Sequence, residues 1–266
     1  MANLIDIGAN LMNPAFDHDR EAVLEKAFAA GVQTIIITGS NIESSSEAIS
    51  FSKTHARCRA TAGVHPHNAK EWDAAMAVRL QELSLSAKTI VAIGECGLDY
   101  NRNFSPPDAQ RICFEAQLVL AVQLKKPVFL HVRDAFDDFF RILKQYRREL
   151  PGAVVHCFTG SQPELEACLA LDCYIGVTGW VCDERRGSHL IPLLRQIPAD
   201  RLLLETDAPY LLPRSLPKTA QGKSGRNEPR FLPHIAVFIA AVLDKTPDQI
   251  AEETSANAGR LFGINP

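Results

Sequence analysis

The chain has 266 residues, of which 46% are hydrophobic and 22% are charged, and its formal net charge is −3. This balance excludes a broadly basic surface of the kind that binds nucleic acid through charge alone. Residues 1–6 lack the basic and apolar regions of a signal peptide, and the longest apolar run, at 235–243, is too short to cross a bilayer. We therefore expect a cytoplasmic protein that makes no membrane contact.

Seven cysteines are present, and they form no Cys-x-x-Cys pair. Cys96, Cys113, Cys168 and Cys173 lie inside apolar runs, where small buried thiols are common in proteins of reducing compartments. An odd number of cysteines also cannot be fully paired in disulfides. We expect all seven to be structural.

Eight short apolar, β-branched runs of strand length recur along the chain. They cover residues 4–8, 33–38, 59–64, 89–95, 128–131, 153–156, 173–178 and 202–206. Segments with helical periodicity lie between them. Residues 19–31 carry apolar side chains at helical spacing and end in a glycine suited to a left-handed cap, and Ser105-Pro106-Pro107 opens another helix. Strand followed by helix, eight times, predicts an α/β fold of the (β/α)8 TIM-barrel class.

No linker, charge block, low-complexity tract or internal repeat divides the chain, so we expect a single domain over residues 1–266. An open doubly wound sheet is the alternative architecture. The stretch Gly8-Ala9-Asn10-Leu11 after the first strand lacks the G-x-G-x-x-G phosphate-binding pattern that such a sheet carries. The barrel is therefore favoured.

Four of the predicted strands end directly in a side chain that can hold a divalent metal. These residues are Glu95, His131, His156 and Asp207, at the ends of strands four, five, six and eight. A strand buried on both faces has no reason to end in a carboxylate or an imidazole unless that group meets water, a ligand or an ion. Because the carboxyl ends of the strands gather at one rim of a barrel, we predict one metal site there.

Local sequence supports this placement. Gly94 and Gly97 flank Glu95 and allow backbone or ligand to approach closely. Pro209 forces the residue before it out of helical geometry, so the strand should break just past Asp207 and project this acid over the barrel mouth. Two imidazoles and two carboxylates suit zinc, manganese or, with more water in the coordination shell, magnesium.

His65 and His67 flank Pro66 at the end of the third strand run. Proline should hold this segment extended, so we expect the two rings to point to opposite sides, with only one facing the site. We favour His65 as a contact to a phosphate or leaving group. His67 is as readily structural as functional.

Basic residues concentrate in the connection after the eighth strand, residues 212–233. They are Arg214, Lys218, Lys223, Arg226 and Arg230, against the single acid Glu228. Barrel enzymes often bind phosphate in the loops after the last two strands, although a charge run is as commonly a solvated face. Arg185-Arg186 would lie at the edge of the same opening of the barrel. Trp180 either stacks on a base or packs against a helix, and we favour packing.

Six motifs in chain order carry a family resemblance. They are Gly63-Val64-His65-Pro66-His67, Gly94-Glu95-Cys96-Gly97-Leu98-Asp99, His131-Val132-Arg133, His156-Cys157-Phe158-Thr159-Gly160, Glu205-Thr206-Asp207-Ala208-Pro209-Tyr210 and Arg226-Asn227-Glu228-Pro229. Together they resemble the TatD family of metal-dependent deoxyribonucleases over essentially the whole chain. The resemblance implies a TIM barrel, divalent metals and hydrolysis of DNA phosphodiesters, often from the 3′ end.

By motif match, the resemblance also implies roles for single residues. The implied metal ligands are Glu95, His131, His156 and Asp207. His65 would touch a substrate phosphate, and Arg133, Arg186 and Arg226 are our further substrate-binding candidates. Asp207 and Glu95 are the predicted catalytic residues.

The first strand departs from the family pattern. Many members begin with Asp-x-His-x-His, whereas this chain reads Asp6-Ile7-Gly8-Ala9-Asn10 and has neither histidine. Asn10 could offer a carbonyl oxygen, which is a poorer ligand for zinc but acceptable to magnesium or manganese. We therefore expect one or two ions, magnesium first with manganese or zinc as alternatives, and looser binding at one position.

The predicted activity is metal-dependent hydrolysis of DNA, as a 3′–5′ exonuclease on single strands, with RNA as a further candidate substrate. In this hypothesis the bound metal lowers the pKa of a water molecule, which Asp207 orients or deprotonates.

The alternative is a metal-dependent amide or ester hydrolase, such as an aminoacyl-tRNA deacylase, on the same barrel. A third hypothesis is a non-catalytic barrel that binds a partner while its metal site serves stability. We expect a monomer.

Overall fold

The computed structural model describes residues 3–221 and 225–265. The strands are β1 Leu4–Ala9, β2 Val32–Ile37, β3 Cys58–Ala62, β4 Ile90–Asp99, β5 Val128–Arg133, β6 Ala153–Val155, β7 Tyr174–Val177 and β8 Leu202–Leu204. All eight predicted strands are therefore confirmed. Lys223 of the predicted basic connection lies outside the described residues.

Helices separate the strands in the described part of the chain. They are α1 Arg20–Ala29, α2 Ile42–Thr54, α3 Ala74–Leu85, α4 Pro107–Leu124, α5 Phe136–Tyr146, α6 Gln162–Ala170, α7 Leu190–Leu194, α8 Leu232–Val242 and α9 Pro247–Phe262. Helix α4 begins at Pro107 as predicted, because its fixed φ suits a first turn, and it ends at Lys125 in a left-handed cap. Helix α1 ends before the predicted Gly31, whose φ is 99°.

The strand order in the sheet is β1 to β8. The pairs β1–β2, β4–β5 and β7–β8 are parallel, as a strand–helix–strand succession requires. This order and the alternation with helices confirm the predicted (β/α)8 TIM-barrel class.

Two strands run past the residues at which we predicted them to end. β4 continues beyond Glu95 to Asp99, and β5 continues beyond His131 to Arg133. The additional segment is paired, with Gly97 opposite His131 and Asp99 opposite Arg133. The prediction that these two strands stop at a ligand was therefore wrong, because Gly97 lets the two backbones stay in contact beyond it.

The chain divides into two compact units, and residues 38–156 with 163–174 form the central unit. In it β4 pairs with both β3 and β5, and β5 pairs with β6. Its core includes Phe129 of β5 and the stacked rings of Phe114 and Phe139, whose centroids are 5.5 Å apart. These buried helices and strands fix the backbone that carries the histidines described below.

The described residues of 3–37, 157–162 and 175–265 form the terminal unit. In it β1 contacts β8, and helix α9 packs on both strands. The buried side chain of Asp6 accepts hydrogen bonds from the backbone N–H and the hydroxyl of Thr206, at 2.9 and 2.6 Å. Asp6 thus ties the first strand to the segment that follows the last. The expectation of a single domain stays a prediction.

All seven cysteines are free thiols, and six of them are buried. Burial raises the pKa of the Cys113 and Cys182 thiols to about 12, which keeps them protonated at neutral pH. Among the described residues, no helix combines the length and apolar character needed to cross a membrane.

Candidate metal centre

Glu95 lies within the fully buried strand β4 and is 6% exposed. The neighbouring backbone leaves no room for side chains, because a Cβ at Gly94 or Gly97 would lie 2.2 or 1.9 Å from a carbonyl oxygen of β5. Both glycines also adopt a positive φ that disfavours other residues. Strand β4 therefore packs directly on β5, which brings Glu95 to the imidazole of His131.

Three imidazoles surround one oxygen of this carboxylate. Oε1 of Glu95 is 2.9 Å from Nδ1 of His131 and 2.9 Å from Nε2 of His156. It is 3.3 Å from Nε2 of His65. We call these four residues the Glu95 cluster. The structure thus brings together three of the four predicted metal ligands with the predicted phosphate contact.

The central sheet explains why residues distant in sequence meet here. His131 lies in β5, and His156 directly follows β6, with its backbone N–H bonded to Leu130 O. His65 follows β3 and caps the 3₁₀ helix Pro66–Glu71. Because parallel neighbouring strands end on the same side of a sheet, these histidines converge at the carboxyl ends of β3, β5 and β6.

His65 and His67 face the same group of rings, so the expectation that they point to opposite sides was wrong. Their ring centroids are 4.2 Å apart. Pro66 opens a 3₁₀ turn instead of continuing an extended segment, since its fixed φ also suits the first residue of a helix. Within this turn Nδ1 of His65 accepts the backbone N–H of His67 at 3.1 Å.

Asp99 lies beside the Glu95 cluster and contacts two of the histidine rings near it. It is 1% exposed, and its Oδ2 is 2.9 Å from Nε2 of His67 and 3.6 Å from Nε2 of His131. Oδ1 accepts the backbone N–H groups of Asn101 and Arg102. A carboxylate held in this way orients both rings. We did not single out Asp99 or its contact with His67 from the sequence, although Asp99 belongs to the same motif as Glu95.

The residues of the Glu95 cluster have different pKa shifts, which set their charges at neutral pH. Burial opposes ionisation of Glu95, but electrostatic attraction to the imidazoles of His156 and His65 and the hydrogen bond from His131 outweigh it and hold the pKa of Glu95 well below its usual value. Burial lowers the pKa of His65 to about 4. Burial also opposes protonation of His131, yet the neighbouring carboxylates of Asp99 and Glu95 raise its pKa. At neutral pH an ionised carboxylate therefore faces a neutral His65.

The donor atoms of this cluster fit a divalent ion. One nitrogen each from His65 and His131 and one oxygen from Glu95 lie within 4.8 Å of one another. Nε2 of His131 is buried and has no hydrogen-bond partner among the described residues. Imidazole nitrogen and carboxylate oxygen are ligands of divalent transition metals. These side chains could therefore hold a metal ion.

Asp207 belongs to the terminal unit and follows β8. Its backbone has a positive φ of 53°, and its N–H donates to Gly8 O at 2.8 Å. Its Oδ1 accepts a hydrogen bond from the side-chain amide of Asn10 at 2.9 Å. The two positions at which many family members carry histidine, Gly8 and Asn10, thus both contact Asp207. Its role as a ligand stays a prediction.

The predicted substrate-binding arginines differ in their surroundings. Arg133 is the exposed last residue of β5. Arg186 pairs with Asp183 at 2.9 Å, and its guanidinium lies 4.5 Å from the ring centre of Trp180. This contact covers the Trp180 ring with an arginine, and the indole N–H donates to Arg186 O. Binding of substrate by Arg133 and Arg186 stays a prediction.

Arg226 is engaged within the terminal unit. It pairs with Asp19 at 2.7 Å and with Glu228 at 2.9 Å, and its guanidinium lies 4.5 Å from the ring centre of Phe16. Its side chain is 14% exposed. These contacts fasten the connection after β8 to the segment that precedes α1, which is a structural role. A role in substrate binding stays a prediction here too.

Comparisons of this sequence with known proteins agree on one family. The family model described as TatD related DNase matches residues 5–263. A 3′-5′ ssDNA/RNA exonuclease TatD of Erwinia tasmaniensis is 51% identical over 262 residues, which cover 98% of this chain and all of the relative. The protein of the same name from Cronobacter turicensis is 53% identical over 259 residues, which cover 97% of each chain.

Solved structures agree with these sequence matches. The TatD homologue YjjV of Escherichia coli K12 superposes with a TM-score of 0.90 at 28% identity, over 98% of each chain. A hydrolase of the TatD family from Entamoeba histolytica superposes with a TM-score of 0.89 at 27% identity, over 98% of this chain and 99% of that one. With its motifs, its strand order and these matches, the chain belongs to the TatD-related DNase family.

Proposed function

We propose that this protein is a divalent-metal-dependent 3′–5′ exonuclease that hydrolyses phosphodiester bonds of single-stranded DNA, and of RNA. Family membership and the names of relatives at about half identity support the reaction class. The observation that carries the proposal is the Glu95 cluster, in which one buried carboxylate oxygen meets three imidazoles at the carboxyl ends of barrel strands. Active sites of this fold lie at that end of the strands.

We assign Glu95, His131 and His156 as the residues of the central unit that would hold the ion, and Asp207 as the predicted ligand of the terminal unit. A bound divalent ion would polarise the phosphate and activate water for attack on phosphorus. Magnesium was the first expectation from the sequence. Because imidazole nitrogens dominate the Glu95 cluster, we propose that Mn²⁺ binds it more tightly than Mg²⁺.

His65 is better suited to donate a hydrogen bond than to bind the metal. Its Nδ1 accepts a backbone N–H, so the neutral ring carries its proton at Nε2. That Nε2–H points to the Glu95 carboxylate at 3.3 Å. We propose that the same N–H donates to a non-bridging oxygen of the substrate phosphate, as the sequence predicted. A neutral donor there orients the phosphate without adding a charge.

Asp207 is assigned as the proton acceptor in the reaction. The amide of Asn10 fixes the carboxylate by donating to Oδ1. A carboxylate held in one orientation can accept the proton of the attacking water while the sugar oxygen departs. The substrate's phosphate charge would be met by the metal and by local arginines, because the chain as a whole is acidic.

The proposal is tested with purified apo-protein, Mg²⁺, Mn²⁺ and Zn²⁺ in turn, and labelled oligonucleotides. Single-stranded DNA or RNA carrying a 5′ label should shorten by one nucleotide at a time in the presence of metal. Aminoacyl-tRNA and small amides serve as parallel substrates. Release of the amino acid or cleavage of the amide, with intact oligonucleotides under every metal, would overturn the nuclease in favour of the alternative hydrolase.

The compartment and the assembly state are proposals as well. Seven free thiols support a reducing compartment such as the cytoplasm. A monomer stays our expectation, and light scattering of the purified protein checks it.

A further inference from the structure

The loop between β4 and α4, residues 100–106, is fastened at its start by buried groups. Oδ1 of Asp99 accepts the backbone N–H groups of Asn101 and Arg102, each at 2.9 Å. The fully buried side-chain amide of Gln110 donates to the carbonyl oxygens of Asp99 and Ser105, at 3.0 and 2.8 Å. Both ends of the loop are therefore bonded to one side chain of α4.

The end of this loop is also bonded to the segment that carries the histidines. Ser105 is fully buried, and its hydroxyl donates to His67 O at 2.9 Å. The hydroxyl oxygen of Ser105 in turn accepts the backbone N–H of Lys70 at 3.0 Å. Because these bonds fix the backbone on both sides of Phe104, this residue has a defined position.

Phe104 is 57% exposed although it is a large aromatic residue. Its ring meets the ring of His67 edge to face, with centroids 4.7 Å apart. The row of rings continues from His67 to His65 at 4.2 Å and from His65 to His131 at 4.6 Å. Phe104 is thus the solvent-facing end of a continuous row of rings that leads into the Glu95 cluster.

Its location distinguishes Phe104 from the exposed aliphatic residues. Most of those in the described part of the chain lie on helices, namely Val78, Leu85, Ile112, Val119, Ile191 and Val237. Single exposed aliphatic side chains on outer helices are ordinary. An exposed aromatic ring held rigidly at the carboxyl end of a barrel strand, beside candidate catalytic residues, is the arrangement that a substrate-binding surface needs.

We propose that the ring of Phe104 stacks on a nucleobase near the 3′ end of the single strand, and so positions the terminal phosphodiester at the Glu95 cluster. This inference rests on the proposed nuclease function and adds a base-binding subsite to it. Stacking on an aromatic ring tolerates every base, since each has a π-face. It also does not sense the 2′-hydroxyl, so one subsite serves DNA and RNA alike.

The test compares Phe104→Ala with Phe104→Trp, and with Ile112→Ala as the matched control. Ile112 is equally exposed, at 62%, and lies on the helix that follows the loop. For a single-stranded oligonucleotide, Phe104→Ala should raise KM about tenfold, the effect of losing one base stack, with a smaller change in kcat. Phe104→Trp and the control should keep the wild-type KM.

A substrate with one abasic nucleotide, placed in turn at each of the last three positions, separates stacking from a structural role. At the position whose base stacks, wild type and Phe104→Ala should have the same KM. If Phe104→Ala is impaired equally on base-bearing and abasic substrates, the ring acts only by supporting His67 and the proposal is wrong. It is also wrong if Phe104→Ala keeps the wild-type KM on every base-bearing substrate.

A binding measurement keeps this inference distinct from the nuclease function itself. An oligonucleotide with 2-aminopurine near its 3′ end is titrated with protein under chelating conditions, in which no cleavage occurs. Quenching of the probe by wild type but not by Phe104→Ala would support the subsite even if no phosphodiester were ever cut. Equal quenching by both proteins would overturn it, whatever the outcome of the cleavage assays.

Discussion

Asp99 shows how one carboxylate can organise two imidazoles without belonging to the Glu95 cluster itself. It is buried between His67 and His131, and two backbone N–H groups hold its other oxygen. Residues that orient metal ligands commonly affect affinity almost as strongly as the ligands. Asp99 therefore acts as a positioning residue in our account.

Replacing Asp99 with asparagine should weaken metal binding by a factor of about 10 to 100, because the amide cannot hold both imidazoles as a charged carboxylate does. Calorimetric titration of apo-protein with Mn²⁺ measures this directly. The matched control is Asp108→Asn, since the side chain of Asp108 is 84% exposed. Equal Mn²⁺ affinities of wild type and Asp99→Asn would contradict the positioning role.

Asp207→Asn should lower kcat by a factor of about 10² or more, because the amide preserves shape but cannot accept a proton. Single-turnover cleavage of a labelled single strand at saturating metal measures this effect. Asp200→Asn is the control in the same unit, as its carboxylate is 63% exposed and precedes β8. Cleavage by Asp207→Asn at the wild-type rate would exclude Asp207 as the proton acceptor.

At the scale of elements, strand β4 is the part of the fold that the chemistry depends on most. Two glycines let it lie against β5 closely enough for Glu95 to reach His131. A Cβ at Gly97 would lie 1.9 Å from His131 O, and the φ there is +145°. A methyl group at this position must push the two strands apart.

Gly97→Ala should destabilise the protein by about 3 kcal/mol, from the steric overlap together with the strained backbone. Gly263→Ala is the control, because Gly263 also has a positive φ of 64° but has open space around its Cβ position. It should cost only about 1 kcal/mol. Urea unfolding of both variants measures the difference, and a cost at Gly97 no greater than that at Gly263 would contradict the close strand contact.

Asp6 links β1 to the segment after β8, and burial raises its pKa from 3.8 to about 8 despite its hydrogen bonds to Thr206. From pH 4 to 8 the unfolded chain has lost this proton while the folded chain still holds it. Asp6 therefore makes the free energy of unfolding fall as pH rises through this window.

Between pH 6 and 7.5, the wild type should lose roughly 2 kcal/mol of stability relative to Asp6→Asn, which has no titrating group at this position. Denaturant unfolding of both proteins at the two pH values measures how much the free energy of unfolding changes with pH in each. The absolute stability of the variant therefore does not matter. Parallel pH dependences would show that Asp6 is already ionised in the folded protein.

At the scale of the whole molecule, short apolar, β-branched runs and the helical periodicity between them predicted all eight strands and the barrel class, because these features follow from local burial. The meeting of Glu95, His131 and His156 was predictable for the same reason, since a charged or polar group that interrupts a buried run needs a partner. The strand ends themselves were not, because β4 and β5 continue beyond Glu95 and His131. The role of Asp99 and the common direction of the His65 and His67 rings could not be predicted from the sequence. They depend on a 3₁₀ turn at Pro66 and on strand register, which are set by tertiary packing.

The central claim is that Glu95 and its imidazoles bind the divalent ion that the nuclease reaction needs. The most direct test titrates Mn²⁺ into apo wild type and Glu95→Gln, while calorimetry and shortening of a 5′-labelled single strand are followed on the same samples. We predict that wild-type cleavage rises with the same midpoint as Mn²⁺ binding, and that Glu95→Gln remains folded but neither binds Mn²⁺ tightly nor shortens the strand. Cleavage by Glu95→Gln at the wild-type rate, at the same Mn²⁺ concentrations, would contradict the account.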